Sequence, residues 1–169
     1  MREYATQMEA AKRGIVTPEM KTVAEKEFTD PEIIRERVAV GQIAIPANIN
    51  HKSLCAEGIG KGLRTKINVN LGISGDANNY DAEMDKVRMA LRFGAEAIMD
   101  LSNYGKTNTF RQQLIALSPA MIGTVPMYDA IGYLEKDLLD ITAQDFFKVV
   151  RAHAEAVSYT HLRAHETDS

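Results

Sequence analysis

Three apolar, β-prone stretches end in polar residues at equal spacing, and that spacing constrains the fold more than any other feature of the chain. Thr65-Lys66-Ile67-Asn68-Val69-Asn70-Leu71-Gly72 alternates polar and apolar residues and breaks at a glycine, the pattern of a strand entering a loop. Asparagine is a poor strand former, so Asn68 and Asn70 point to a use for their amides beyond propensity. Ala97-Ile98-Met99-Asp100-Leu101-Ser102 and Met121-Ile122-Gly123-Thr124-Val125-Pro126-Met127-Tyr128 repeat the arrangement. Positions 70, 99 and 128 stand 29 residues apart, close to the ~30 residues of a strand–helix–strand unit.

The intervening segments fit helices. Residues 81–93 carry Met84, Val87, Ala90 and Leu91 on one face, with Gly94 following. Residues 107–117 carry Phe110, Leu114, Ile115 and Leu117, and end at Ser118-Pro119. From Asp140 a long helix is predicted, with Phe146, Phe147, Val149 and Val150 inward. Strand–helix alternation of this kind means α/β architecture, a parallel sheet with right-handed crossovers. Three such strands suit either an open doubly wound sheet or the first part of an eight-stranded (β/α)8 barrel. The barrel is preferred, because no phosphate fingerprint follows the first strand. Both folds place their sites at the C-terminal strand ends.

The first forty residues predict a small helical N-terminal region. Tyr4, Met8 and Ala11 have roughly helical spacing before Gly14. Thr17-Pro18-Glu19 and Asp30-Pro31-Glu32 each offer a cap, a proline at the first helical position and an acid in the first turn. The second and third helices then run to about Glu27 and Val40, and Gly41 closes the third. An extended stretch from Ile43 to His51 follows, then a loop at Gly58-Ile59-Gly60-Lys61-Gly62 that fails the context of a dinucleotide fingerprint. The expected organisation is therefore 1–45 helical, 46–156 an incomplete barrel, and 157–169 a tail.

Composition excludes several classes. A formal net charge of −3 with no basic run argues against nucleic-acid binding. No apolar run approaches the ~20 residues that span a bilayer, so no membrane partner is expected. One cysteine, Cys55, forms no internal disulfide and suits a reducing cytoplasm. Its only basic neighbours in sequence are Lys52 and Lys61, which do not suggest an activated thiol. His51 is a lone loop histidine, and Asp100 and Ser102 have capping as their default role.

The tail offers His161 and His165 four residues apart beside Glu166, metal-ligand spacing if helical. Residues 157–167, however, resemble the translation of a transposase sequencing adapter. The histidines are accordingly assigned no function, and the natural chain is expected to depart from this sequence after about Ala156.

Taken together, Ile45-Pro46-Ala47-Asn48-Ile49-Asn50-His51, Lys66-Ile67-Asn68-Val69-Asn70-Leu71-Gly72, Met99-Asp100-Leu101-Ser102 and Gly123-Thr124-Val125-Pro126-Met127-Tyr128 resemble phosphomethylpyrimidine synthase of thiamin biosynthesis. Thr6-Gln7-Met8 and residues 14–20 resemble the same family, so the likeness covers nearly all of 4–156. The resemblance implies a barrel behind a helical N-terminal region. It implies a lyase that converts 5-aminoimidazole ribotide to 4-amino-5-hydroxymethyl-2-methylpyrimidine phosphate, using S-adenosylmethionine and a four-iron four-sulfur (4Fe-4S) cluster, with zinc as a further metal. By alignment it implies Asn70, Met99 and Tyr128 as substrate contacts, and a homodimer at full length. An amide donates and accepts in one plane, a phenol hydrogen-bonds at a pocket rim, and methionine makes an adaptable wall.

Each contact has a plainer reading: Asn70 as a turn residue, Met99 as core, Tyr128 as a packed aromatic. The cluster cysteines and metal-binding histidines of the family have no counterparts here, so the expectation is an N-terminal fragment, inactive alone. The alternatives are another barrel enzyme acting on a phosphorylated sugar or nucleotide, and a non-catalytic ligand-binding remnant.

Overall fold

The computed structural model of the chain describes residues 3–105, 107–134, 137–156 and 159–160. The chain divides into two compact units, one of Met1–Ala47 with Cys55–Lys66 and the other of Asn48–Leu54 with Ile67–Ser169.

The first unit holds helices α1 (Gln7–Lys12), α2 (Pro18–Lys26) and α3 (Pro31–Ala39). Thr6, Thr17 and Asp30 cap them, accepting from the backbone N–H of Glu9, Met20 and Glu32. The caps of α2 and α3 lie where the Thr-Pro-Glu and Asp-Pro-Glu runs place them. The buried face of α1 is Gln7, Ala10 and Ala11, not the expected Tyr4–Met8–Ala11 stripe: Met8 is 40% exposed. Thr17 causes the rotation, because its hydroxyl donates to Gln7 Oε1 at 2.6 Å and keeps that side chain inside. Ala11, Met20, Val23, Ala24, Ile34 and Val38 make the core with Ile43, Ile45 and Ala56. The glycine segment is not wholly loop. Strand β2 (Ile59–Gly60) pairs antiparallel with β1 (Ile43–Ala44). A Cβ at Gly60 would lie 2.1 Å from the Gln42 carbonyl oxygen, so only glycine fits.

The second unit is a parallel sheet of β3 (Asn68–Leu71), β4 (Ala97–Asp100), β5 (Met121–Thr124) and β6 (Tyr159–Thr160), in that spatial order. Sheet order follows chain order without reversal, so no topological switch point occurs among these strands. Helix α4 (Tyr80–Arg92) connects β3 to β4, and α5 (Thr107–Leu117) connects β4 to β5. Leu71, Met84, Val87, Ala90, Ile98, Phe110, Leu114 and Ile122 form the core between sheet and helices. Tyr80 meets Phe110 edge-on, with centroids 5.7 Å apart.

Three expectations are corrected. Pro126 does not simply end the third strand: it opens α6 (Pro126–Leu134), because proline suits a first helical turn, where no N–H partner is needed. Helix α7 (Ala143–Ala156) starts from a reciprocal cap, Asp145 N to Thr142 Oγ1 and Thr142 N to Asp145 Oδ2, after a 3₁₀ turn at Leu138–Asp140. Its Val149 is buried, but Phe147 is 67% exposed, falling on the opposite side of the 3.6-residue period. The sheet also has a fourth strand, β6, beyond the three expected. His161, His165 and Glu166 lie outside the described residues.

Candidate functional site

Alternation along the strands sorts their side chains into two faces. Val69, Leu71, Ile98 and Ile122 pack toward the helices. Asn68, Asn70, Met99 and Gly123 therefore project from the other face. The ladder puts Asn70 opposite Met99 and Met99 opposite Gly123, so these three residues stand abreast one position before the strand ends. No side chain rises from β5 at that level. Asn68 Nδ2 donates to Asn70 Oδ1 at 2.8 Å, which orients the Asn70 amide. Asn70 is exposed, whereas Met99 is 2% exposed. Tyr128 is half-buried on the first turn of α6, not at the end of a strand.

The loops after β3 and β4 are bound tightly to one another. Asp100 Oδ1 accepts from Ser102 N at 3.0 Å, a turn within the loop after β4 and not the cap of the next helix, which begins at Thr107. Ser102 Oγ in turn accepts from Ile73 N at 2.9 Å. Gly72 N donates to the buried Glu83 at 3.1 Å, and a Cβ on Gly72 would fall 2.6 Å from Ser102 N.

Behind the strand ends, on the helix side, lies a buried polar network. Arg111, 1% exposed, forms ion pairs with Asp129 (Nη2 to Oδ2, 3.0 Å) and Asp100 (Nε to Oδ2, 3.3 Å). Asp129 Oδ2 also accepts from His153 Nε2 at 2.7 Å, and His153 Nδ1 lies 2.8 Å from Thr124 Oγ1. A carboxylate only accepts, so Nε2 carries a proton; in the neutral ring Nδ1 then accepts from the threonine hydroxyl. Burial pushes the Asp100 carboxyl up despite the opposing charge of Arg111 and the Ser102 bonds. Burial works the same way on Asp129, but the His153 bond and Arg111 outweigh it and hold that carboxyl below the usual range.

Arg111 and His153 were not among the residues singled out from sequence. The available signal was spacing: Thr107, Phe110, Arg111 and Leu114 share the buried face of α5, so a charge stood within an otherwise apolar stripe.

His51 is buried rather than a free loop residue, its ring 2.7 Å from the Ser118 carbonyl. A cavity of about 530 Å³ is lined by Ile73, Asn78, Tyr80, Tyr104, Gly105 and Thr109. Another of about 580 Å³ lies between residues 50–53 and the ends of α5 and α7. Neither is lined by Asn70, Met99 or Tyr128. Among the described residues no three His, Cys, Asp or Glu side chains converge to hold a metal ion, and no helix is long and apolar enough to cross a membrane. The residues present do not fit an iron–sulfur cluster, which takes several cysteines; this sequence has Cys55 alone.

The chain is thus a parallel α/β protein with polar side chains at its C-terminal strand ends, where such folds place their sites. Residues 6–166 match the model of the radical SAM ThiC family, and the chain belongs to that family. The matched span includes most of the segment likened above to adapter sequence. The chain is 64% identical over 162 residues to a phosphomethylpyrimidine synthase of Alkaliphilus metalliredigens, covering 95% of this chain and 37% of the relative. It is 58% identical over 167 residues to that of Clostridioides difficile (98% and 39%), and 64% identical over 152 residues to that of Clostridium tetani (90% and 33%). The chain thus spans between a third and two fifths of the length of these relatives.

Proposed function

We propose that this chain contributes part of the substrate pocket of a phosphomethylpyrimidine synthase, with Asn70, Met99 and Tyr128 contacting 5-aminoimidazole ribotide. The observation that carries the reading is the register of Asn70 against Met99 at the C-terminal strand ends, on the face turned away from the helices. There the Asn70 amide, oriented by Asn68, is available to pair with a polar ring edge, and Met99 supplies an apolar wall. Tyr128, on the first turn of α6, offers a phenol at the rim. In-order parallel strands support a (β/α)8 barrel as the fold of the whole protein.

The reaction proposed for the whole protein is the family's conversion of the ribotide to 4-amino-5-hydroxymethyl-2-methylpyrimidine phosphate. S-Adenosylmethionine and a 4Fe-4S cluster, when bound, supply radical initiation, and zinc is a further metal. None of their ligands is assigned to this chain, whose own residues bind and orient substrate. A homodimer in the cytoplasm is part of the same reading.

The test is a chimera in which residues 6–156 replace the matching part of the Alkaliphilus relative. The chimera should bind the ribotide and form the pyrimidine phosphate, and Asn70→Ala should weaken ribotide binding by tenfold or more. Wild-type affinity in Asn70→Ala would remove Asn70 from the pocket. Failure of the folded chimera to bind, while the parent enzyme does, would sink the reading.

A further inference from the structure

We propose that Arg111 is a positioning residue for ribotide binding, one that sets all three substrate contacts from behind the sheet. The inference rests on the substrate reading above. Arg111 pairs with the chain neighbours of two of the contacts, Asp100 beside Met99 and Asp129 beside Tyr128. Asp100 follows Met99 on β4 and points to the opposite face, so the carboxylate fixed by Arg111 fixes the level at which Met99 projects. Asp129 follows Tyr128 on the first turn of α6, and its ion pair with Arg111 sets the rotation of that turn.

The third contact is reached through Asp100, whose other oxygen binds Ser102 N, while Ser102 Oγ binds Ile73 N, three residues beyond Asn70. His153 ties Asp129 to Thr124 at the end of β5. One guanidinium thus joins the ends of β3, β4 and β5 to the start of α6.

Stability alone does not account for this arrangement. Ion pairs taken out of water are often no better than apolar side chains of the same volume. Here, among the described residues, Arg111 Nη1 is buried without a hydrogen-bond partner, and Arg111 Nε is not aligned on Asp100. What an apolar side chain would not reproduce is one planar, forked cation set between two carboxylates, hydrogen-bonded to Asp129 and in ion-pair contact with Asp100.

The experiment uses the full-length chimera with Arg111→Met, Arg111→Lys and Asn70→Ala. His51→Gln serves as a variant of a buried polar residue outside the network. Ribotide affinity is read by calorimetry and turnover as separate kcat and KM, on proteins whose fold is verified by circular dichroism. Both Arg111 variants are expected to raise Kd and KM at least tenfold with kcat reduced less, and His51→Gln to leave Kd unchanged. Lysine keeps the charge but loses the fork, so its failure to rescue is part of the expectation; if Arg111→Met does not fold, Arg111→Lys decides. Wild-type Kd in a folded Arg111 variant, with Asn70→Ala impaired, overturns the positioning role and leaves the substrate reading standing. Wild-type Kd in Asn70→Ala overturns the reading on which the inference rests.

Discussion

His51 donates from Nε2 to the carbonyl oxygen of Ser118 at 2.7 Å, and the imidazole is 4% exposed. A carbonyl only accepts, which fixes the neutral tautomer with its proton on Nε2. Protonating Nδ1 would place a charge in a buried site, and burial lowers the His51 pKa although the Ser118 bond pulls the other way. Between that lowered value and the unfolded value of about 6.5, the unfolded chain binds more protons than the fold. Stability contributed by His51 is therefore fully present above about pH 6.5 and is lost as pH falls through the folded pKa. Urea midpoints measured from pH 7.5 to 5 should decline, and His51→Gln should flatten that decline. An equal slope in the variant would assign it to other groups.

Gly72 is fixed by two independent constraints. Its φ of 146° is one that side chains rarely adopt, and a Cβ would lie 2.6 Å from Ser102 N and 2.9 Å from the Leu101 carbonyl carbon. Both neighbours are backbone, so neither rotates away. Gly72→Ala should cost on the order of 1–3 kcal/mol, read as a lower urea midpoint with an unchanged slope. It should also disturb ribotide affinity, because the β3 and β4 loops separate. A stability loss below a few tenths of a kcal/mol would mean that the loops part freely.

Much of the fold was legible because its signals are local. Thr17-Pro18 and Asp30-Pro31 announce helix starts within three residues, and Asn70 and Met99 fall one position before strand ends, as their polar-after-apolar context suggested. The failures involve ambiguous or distant signals. Pro126 can end a strand or begin a helix, and only the latter is realised, which moves Tyr128 onto α6. Arg111 reads as an interruption of an apolar stripe because Asp129 is 18 residues away, and His153 finds Thr124 across 29 residues. No local periodicity encodes such pairings, yet they form the buried half of the strand-end architecture.

Thr17 serves two elements at once. Its Oγ1 accepts from Met20 N at 3.1 Å, capping α2, and donates to Gln7 on α1 at 2.6 Å. Thr17→Ala should destabilise by about 1–2 kcal/mol, since an orphan N–H and an unpaired Gln7 oxygen are both left inside. Thr17→Ser keeps the hydroxyl and should recover most of the loss. Equal losses in the two variants would trace the effect to the methyl group instead.

Asp100 and Asp129 share Arg111 but respond to pH in opposite senses. Burial leaves Asp100 with a raised pKa, so between the unfolded value of about 3.9 and that raised value the fold holds more protons, and stability from this residue falls as pH rises. For Asp129, the His153 bond and Arg111 prevail over burial and lower the pKa; its stabilisation is present above about pH 3.9 and is lost as pH falls through the folded value. The two contributions thus act on opposite sides of about pH 4. Asp100→Asn should make the slope of stability against pH more positive above that point, and Asp129→Asn should make it less positive below. Slopes are the informative readout, because either change also removes a partner from Arg111 and shifts absolute stability. Parallel profiles for both variants and the wild type would mean that neither carboxyl titrates differently in the fold.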